Sequence, residues 1–362
     1  MNDFQTITRK PAERPPASVQ NRRNPSDDAK YWFLKGFAVA GPLPVLLVVL
    51  VVVFGVASPV FFSPQNLQSI ATMSVFLLLT ALAQMLILIS GGFDLSVGSN
   101  IALTSVCSGL VMHAVYGGME EYTGVALMWG FFTATAVGLC VGLANGIGVA
   151  VLKVNPFIIT LASTSIFAGL TMIISGGREV SGLPRFFTHV IGSGRVGPIP
   201  VVILIAIPIL LIVLVLLRWT AFGKSIYAIG SNEIAATVAG IRVRRNLVFV
   251  YVIAALLTAY AGWLLTARVS SGQPQLGSEY VMQSITAAII GGASLRGGRG
   301  GVGGTILGVL LLVGLTNGMN LMRLDSNQQS IAIGIALVLS VLISRLRDQT
   351  RRTVAVMELT RR

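Results

Sequence analysis

The chain has 362 residues, of which 54% are hydrophobic and only 11% charged. That is less than half the charge of an ordinary soluble domain, and a soluble chain does not carry repeated apolar runs of about 20 residues, each the length of a bilayer-spanning helix. The formal net charge of +13 is therefore read as membrane topology, and no nucleic acid is expected as a partner.

Residues 1–36 are polar, carry seven Lys or Arg and lack the short apolar core of a cleavable signal, so they are expected to form a disordered basic cytoplasmic arm. Apolar segments follow at 37–57, 67–90, 96–115, 124–151, 157–175, 199–217, 247–267, 280–293, 301–319 and 328–344. They predict an all-α polytopic membrane domain over 37–344 with about ten transmembrane helices and both termini cytoplasmic, closed by a basic cytoplasmic tail over 345–362. In that topology 21 of the 26 Lys and Arg fall inside, and only Arg178, Arg185, Arg195, Arg268 and Arg323 fall outside.

Gly91-Gly92-Phe93-Asp94-Leu95-Ser96 separates the second and third segments. Two glycines, an acid and a serine before an apolar run are the signature of a helix start. A broken or re-entrant helix near Asp94 is expected, with Asp94 or Ser96 as its cap. Asp94 is read as the only acid near the middle of the apolar sequence, so contact with a solute is the alternative role. Asn155-Pro156 opens the fifth segment with proline at a first helical position. Phe157 and Thr160 lie one turn apart on one face, suited either to a polyhydroxyl solute or to ordinary helix packing. Asn145 and Asn317 are amides in apolar surroundings and need partners, on a neighbouring helix more often than on a solute. Asp94, Ser96, Asn145, Phe157, Thr160 and Asn317 are the candidates for a translocation path. The loop from Gly176 to Pro198 is either a landing surface for an outer partner or a solvated linker.

Thr220 to Val243, within the loop 218–246, is the longest polar interruption. Ser231 or Asn232 is placed to cap a short helix, Glu233 sits at its positive end, and Ala235, Ala236 and Ala239 give it small side chains. Gly240 is placed to end it in a left-handed conformation, before Ile241. Such a helix suits a groove on another protein; a plain cytoplasmic loop is the alternative. Gly223-Lys224-Ser225 lacks the first glycine of a phosphate-binding loop, and Gly298-x-Gly300-x-x-Gly303 leads into a membrane-length apolar run rather than a dinucleotide fold. The glycine spacings 138/142/146 and 300/304/308 instead suit close helix contact. Cys107, Cys140, His113 and His189 are isolated, so neither a metal site nor a catalytic set is expected.

Gly230, Ser231, Asn232, Glu233, Ala235, Ala236, Ala239, Gly240 and Ile241 resemble the coupling segment of ribose-type permease subunits of ABC importers, in the branched-chain amino-acid/ribose permease superfamily. Gly91–Ser99 is similar to that family's GG-x-DLSVGS segment. Asn145-Gly146 with Val154–Leu161 resembles its NG…V-x-PFI-x-TL segment, and Ala287–Gly304 its glycine-rich segment. The resemblance covers roughly residues 40–346, with four motifs in order. It implies that Ser231–Ile241 docks into a cytoplasmic ATP-binding subunit. It further implies a second permease subunit, identical or related, and an extracytoplasmic solute-binding protein. This chain would be a multi-pass protein of a bacterial inner membrane, would bind no cofactor, and would be no enzyme; ATP and Mg would sit on the partner. The implied solute is a monosaccharide or small polyol, moved by alternating access. A branched-chain amino-acid permease is the nearer alternative, and an ATP-independent carrier, which usually buries several acids or histidines, the remoter one.

Overall fold

The structure, a computed structural model, describes residues 43–339, 341, 342 and 350; the expected arm 1–36, and the tail 345–362 apart from residue 350, lie outside the described residues. Its helices are α1 (Leu43–Ala57), α2 (Pro64–Ile89), α3 (Val97–Tyr116), α4 (Thr123–Ala150), α5 (Pro156–Ser175), α6 (Val201–Trp219), α7 (Ala221–Ser231), α8 (Glu233–Val238), α9 (Val243–Val269), α10 (Tyr280–Ile290) and α11 (Val302–Leu321). A twelfth, α12, covers 326–339. Seven of the described helices are long and apolar enough to cross a bilayer: α2, α3, α4 with the 3-10 turn before it, α5, α6, α9 and α11. The chain is an all-α, multi-pass membrane protein. α1 and α10 are shorter apolar helices.

Local chemistry sets the starts of these helices. Ser63 accepts the Asn66 N–H with its side chain, and Pro64 occupies the first turn of α2. Asn155 and Pro156 repeat the device at α5, where the Asn155 side chain accepts the Phe157 N–H at 2.9 Å.

α2 is the central helix. From Val75 to Ile89 nearly every residue is buried, as expected of a helix apolar on all sides. Phe76, Leu82 and Leu86 join Tyr251, Leu257 and Leu264 of α9 in one continuous core. α4, α5 and α6 stand at the periphery and turn Trp129, Phe132, Ile166, Leu211 and Ile212 outward, where lipid is the matching solvent. α4 meets α9 through the predicted glycine face: a Cβ on Gly142 would come within 2.5 Å of the Val252 Cα. Only a residue without a side chain permits that approach.

Four loop regions gather at one end of the bundle. Gly298 donates its N–H to the Ile89 carbonyl at 2.8 Å, and Tyr227 donates its hydroxyl to the Gly300 carbonyl at 2.9 Å. A cavity of about 800 Å³ brings Gly91 and Gly92, Lys153 to Pro156, and Arg242, Arg244 and Arg245 together. The segments 91–96, 152–156, 218–246 and 294–300 that meet here carry eight of the 26 Lys and Arg and none of the five expected outside. At the opposite end Gln68 donates to the Pro198 carbonyl at 3.3 Å, and Arg268 to the Ser193 hydroxyl at 3.3 Å.

Three expectations change. Thr220–Val243 is not one loop with one helix: it contains α7 and α8, and Ser231 is the last residue of α7. The loop Gly176–Pro198 is not merely a solvated linker. It forms a π-helical turn, Phe186–Gly192, whose Phe187 is fully buried with its ring 5.0 Å from Trp263. The sequence places 268–279 wholly outside, but this segment turns back inward. Gly272 lies against Ser105, and Gly277 against Ile101 and Gly98, so the chain runs down α3 toward its start.

Candidate functional site

α8 is built as the sequence predicts at both ends and differs in its faces. The Asn232 side chain accepts the Ala235 N–H at 3.0 Å, which makes Asn232, not Ser231, the cap. Ser231 instead donates its hydroxyl to the Tyr227 carbonyl at 2.8 Å. Glu233 stands in the first turn, where the helix dipole favours an anion. At the other end the Gly240 N–H reaches the Thr237 carbonyl and the Ile241 N–H the Ala236 carbonyl, both at 3.0 Å, with Gly240 at φ +81°. That is the paired-bond, left-handed ending that glycine adopts without strain.

Ala236 faces inward. It is 3% exposed and packs with Ile229 of α7 and Val243 of α9. The outward face is instead marked by Ile234 and Val238, 78% and 84% exposed and one turn apart, with Ala235 and Ala239 also exposed. The sequence signal for this was present: an apolar i, i+4 pair on the face opposite the alanine that the helix must bury.

α8 is tied to the membrane core along two routes. Through Ala236 it packs on Val243 and Leu247 at the start of α9. Through α7 it meets the end of α2, because Gly230 lies directly on the Ile89 carbonyl and on Gly297. Burial pushes the Tyr227 hydroxyl of α7 above the usual tyrosine range, against the opposing pull of Arg218. It therefore stays a donor to the Gly300 carbonyl.

Beyond the end of α2 lies a directional chain of buried polar groups. Ser163 of α5 donates to the side-chain amide oxygen Oδ1 of Asn145 at 2.5 Å. Asn145 donates its amide to the Ser96 hydroxyl at 2.8 Å, and Ser96 donates to Asp94 Oδ1 at 2.6 Å. The same Asp94 oxygen accepts the Ser96 backbone N–H at 2.7 Å. Asp94 thus ties the turn just before α3 and does not bond the helix's own free N–H groups; Ser96, the cap residue, makes no side-chain cap bond either. α3 starts deep in the bundle: its Asn100 donates to the Ala255 carbonyl at 2.9 Å, twelve residues into α9 and so roughly 18 Å from its Val243 end.

The other candidates separate from this set. Phe157 is exposed, with its ring 6.4 Å from Phe93. Thr160 is wholly buried and donates its hydroxyl to the Pro156 carbonyl of its own helix. Asn317 exchanges bonds with Asn66, at 2.8 and 3.0 Å, near the far end of α2 from Asp94. Sequence reasoning missed Ser163, whose hydroxyl carries no pattern of its own, and Gln84, a fully buried amide of α2 with no partner among the described residues. It also missed Glu279, which the inward-turning segment carries to the depth of Gly98.

The family profile described as branched-chain amino acid transport system / permease component matches residues 66–342. The ribose import permease protein RbsC of Bacillus subtilis is 36% identical over 300 residues, 83% of this chain and 90% of that protein. From Escherichia coli K12, the L-arabinose transport system permease protein AraH is 33% identical, over 86% of this chain and 92% of its own length. The D-allose transport system permease protein AlsC is 30% identical, over 83% and 90%. No solved structure matches.

Proposed function

The chain belongs to the branched-chain amino acid transport system permease component family, and from that premise we propose that it is the membrane subunit of an ABC importer for a monosaccharide. The relatives named for ribose, allose and arabinose support a sugar over an amino acid. The transport subunit does no chemistry. ATP and Mg belong to a separate ATP-binding subunit, and a solute-binding protein delivers the sugar from outside. Two permease subunits, identical or related, enclose the path. In this reading the chain lies in a bacterial inner membrane, crosses it about ten times and keeps both termini in the cytoplasm.

The single observation that carries the mechanism is the face of α8. Ile234 and Val238 stand in water, an apolar pair fitted to a groove of the ATP-binding subunit. ATP-driven closure of that subunit moves α8. Ala236 and Gly230 pass the motion to α9 and to the end of α2. There the Gly91–Ser96 segment, held by the Asp94–Ser96–Asn145–Ser163 chain, shifts with the start of α3. The path then opens to one side at a time.

Uptake by proteoliposomes holding the permease, its ATP-binding subunit and its solute-binding protein tests the reading. D-ribose, D-allose and L-arabinose are compared with L-leucine. ATP-dependent uptake of a sugar is expected; uptake of leucine alone would return the chain to the amino-acid branch of the family.

A further inference from the structure

The segment between α9 and α10 holds a carboxylate at a depth where no cation among the described residues neutralises it. Gly98 lies against Gly277 and Ser278, and Glu279 follows at once. Two residues beyond Gly98, Asn100 bonds near the middle of α9. Glu279 therefore stands near mid-depth in the bundle, exposed, and its carboxylate meets no cation and no hydrogen-bond donor among the described residues. A charge at such a depth faces a polar space or a pathway, not lipid.

That space is present. A cavity of about 200 Å³ opens between α2, α10 and α11. At about 30 Å³ per water it has the room of roughly six or seven waters, the scale of one sugar ring. Ser69, Glu279, Gln283 and Thr316 line it, and their side chains make no hydrogen bond among the described residues. Asn320 is partly used, accepting from Gln329 at 2.6 Å. Tyr280 adds an aromatic wall.

This lining has a definite selectivity. A carboxylate takes hydroxyl donors, an amide gives and takes, hydroxyls do either, and a ring covers the C–H face of a sugar. Among the described residues no Lys, Arg or His lines the cavity. A zwitterionic amino acid could set its ammonium on Glu279, but its carboxylate would meet no cation among the lining residues, whereas a neutral sugar brings no charge that needs one.

We infer that this cavity is a binding site for a neutral monosaccharide within the permease chain itself, with Glu279 and Gln283 as the residues that read its hydroxyls. The inference rests on the sugar reading above. Unused hydrogen-bonding groups lining a cavity between membrane helices are costly to a sealed membrane protein, and a passing polyol satisfies them.

The test uses the complex of permease and ATP-binding subunit in nanodiscs, without the solute-binding protein, and saturation-transfer NMR with D-ribose, D-allose and L-arabinose in turn. At least one sugar should give saturable transfer. Glu279→Gln should weaken it about tenfold or more, the loss of a charge-assisted bond. Thr316→Phe, which fills the cavity, should abolish it, and Ser225→Ala on α7 should leave it unchanged. Full uptake of a sugar by the complete importer without transfer to the wild-type complex would overturn the site and leave the sugar reading standing. Transfer unchanged in both Glu279→Gln and Thr316→Phe would overturn it too. So would a fall of the Glu279→Gln complex to half its mass, which would make Glu279 part of a subunit contact. Neither uptake nor transfer for any sugar would remove both readings together.

Discussion

Asn145 donates its amide to the Ser96 hydroxyl at 2.8 Å, and that bond joins the last third of α4 to the start of α3. Ser163 and Asp94 extend it on either side, so three helices share one buried chain of donors. Asn145→Leu should leave the Ser163 and Ser96 hydroxyls each short of a partner and cost about 1–3 kcal/mol for each group left unpaired. Thermal unfolding in nanodiscs measures it. A midpoint equal to wild type would remove the chain from the account.

Asp94 accepts two bonds from Ser96, both of which an amide oxygen can take. Asp94→Asn should therefore keep most transport, while Asp94→Leu should lose folding or activity. The two variants are compared by expression and by sugar uptake. Asp94→Asn as inactive as Asp94→Leu, at normal expression, would show that the charge itself is needed.

Ala236 and Ile234 give opposite predictions although they lie on one short helix. Ala236→Glu places a charge between Ile229 and Val243 and should cost several kcal/mol of stability in the isolated chain. Ile234→Glu faces water and should change stability by only about 0.5 kcal/mol. Unfolding of the purified permease alone separates them; equal melting of the two variants would contradict the inward placement of Ala236.

Both termini and the 218–246 loop should be cytoplasmic, with Glu120 and Arg185 outside. Single cysteines at these positions are probed with an impermeant reagent on intact cells. Labelling of a cysteine at Ser225 from outside would reverse the topology.

Much of this was legible in the sequence. The apolar runs mark the helices, and Asn155-Pro156 and Gly240 mark the start of α5 and the end of α8, because capping depends on neighbours in the chain. Asp94, Ser96 and Asn145 were singled out and do meet. What stayed hidden depends on depth and on facing. Nothing local says that 270–279 turns inward, so Glu279 read as part of an outer loop. Asn317 finds its partner on a neighbouring helix, as an amide in apolar surroundings requires, but that the partner is Asn66 appears only once the helices are placed; Thr160 spends its hydroxyl on the Pro156 carbonyl of its own helix. Small residues at Ala235, Ala236 and Ala239 suggested a contact face, whereas Ala236 is small because the chain's own core reaches it.

In the proposed mechanism Ile234 and Val238 are the surface by which the ATP-binding subunit drives this permease. The most direct measurement is co-purification of that subunit with the Ile234→Glu/Val238→Glu permease, followed by sugar-stimulated ATPase and uptake in proteoliposomes. The double variant should insert and melt like wild type but lose the subunit, or retain it with ATP hydrolysis no longer linked to uptake. Wild-type co-purification, ATPase and uptake together would contradict it.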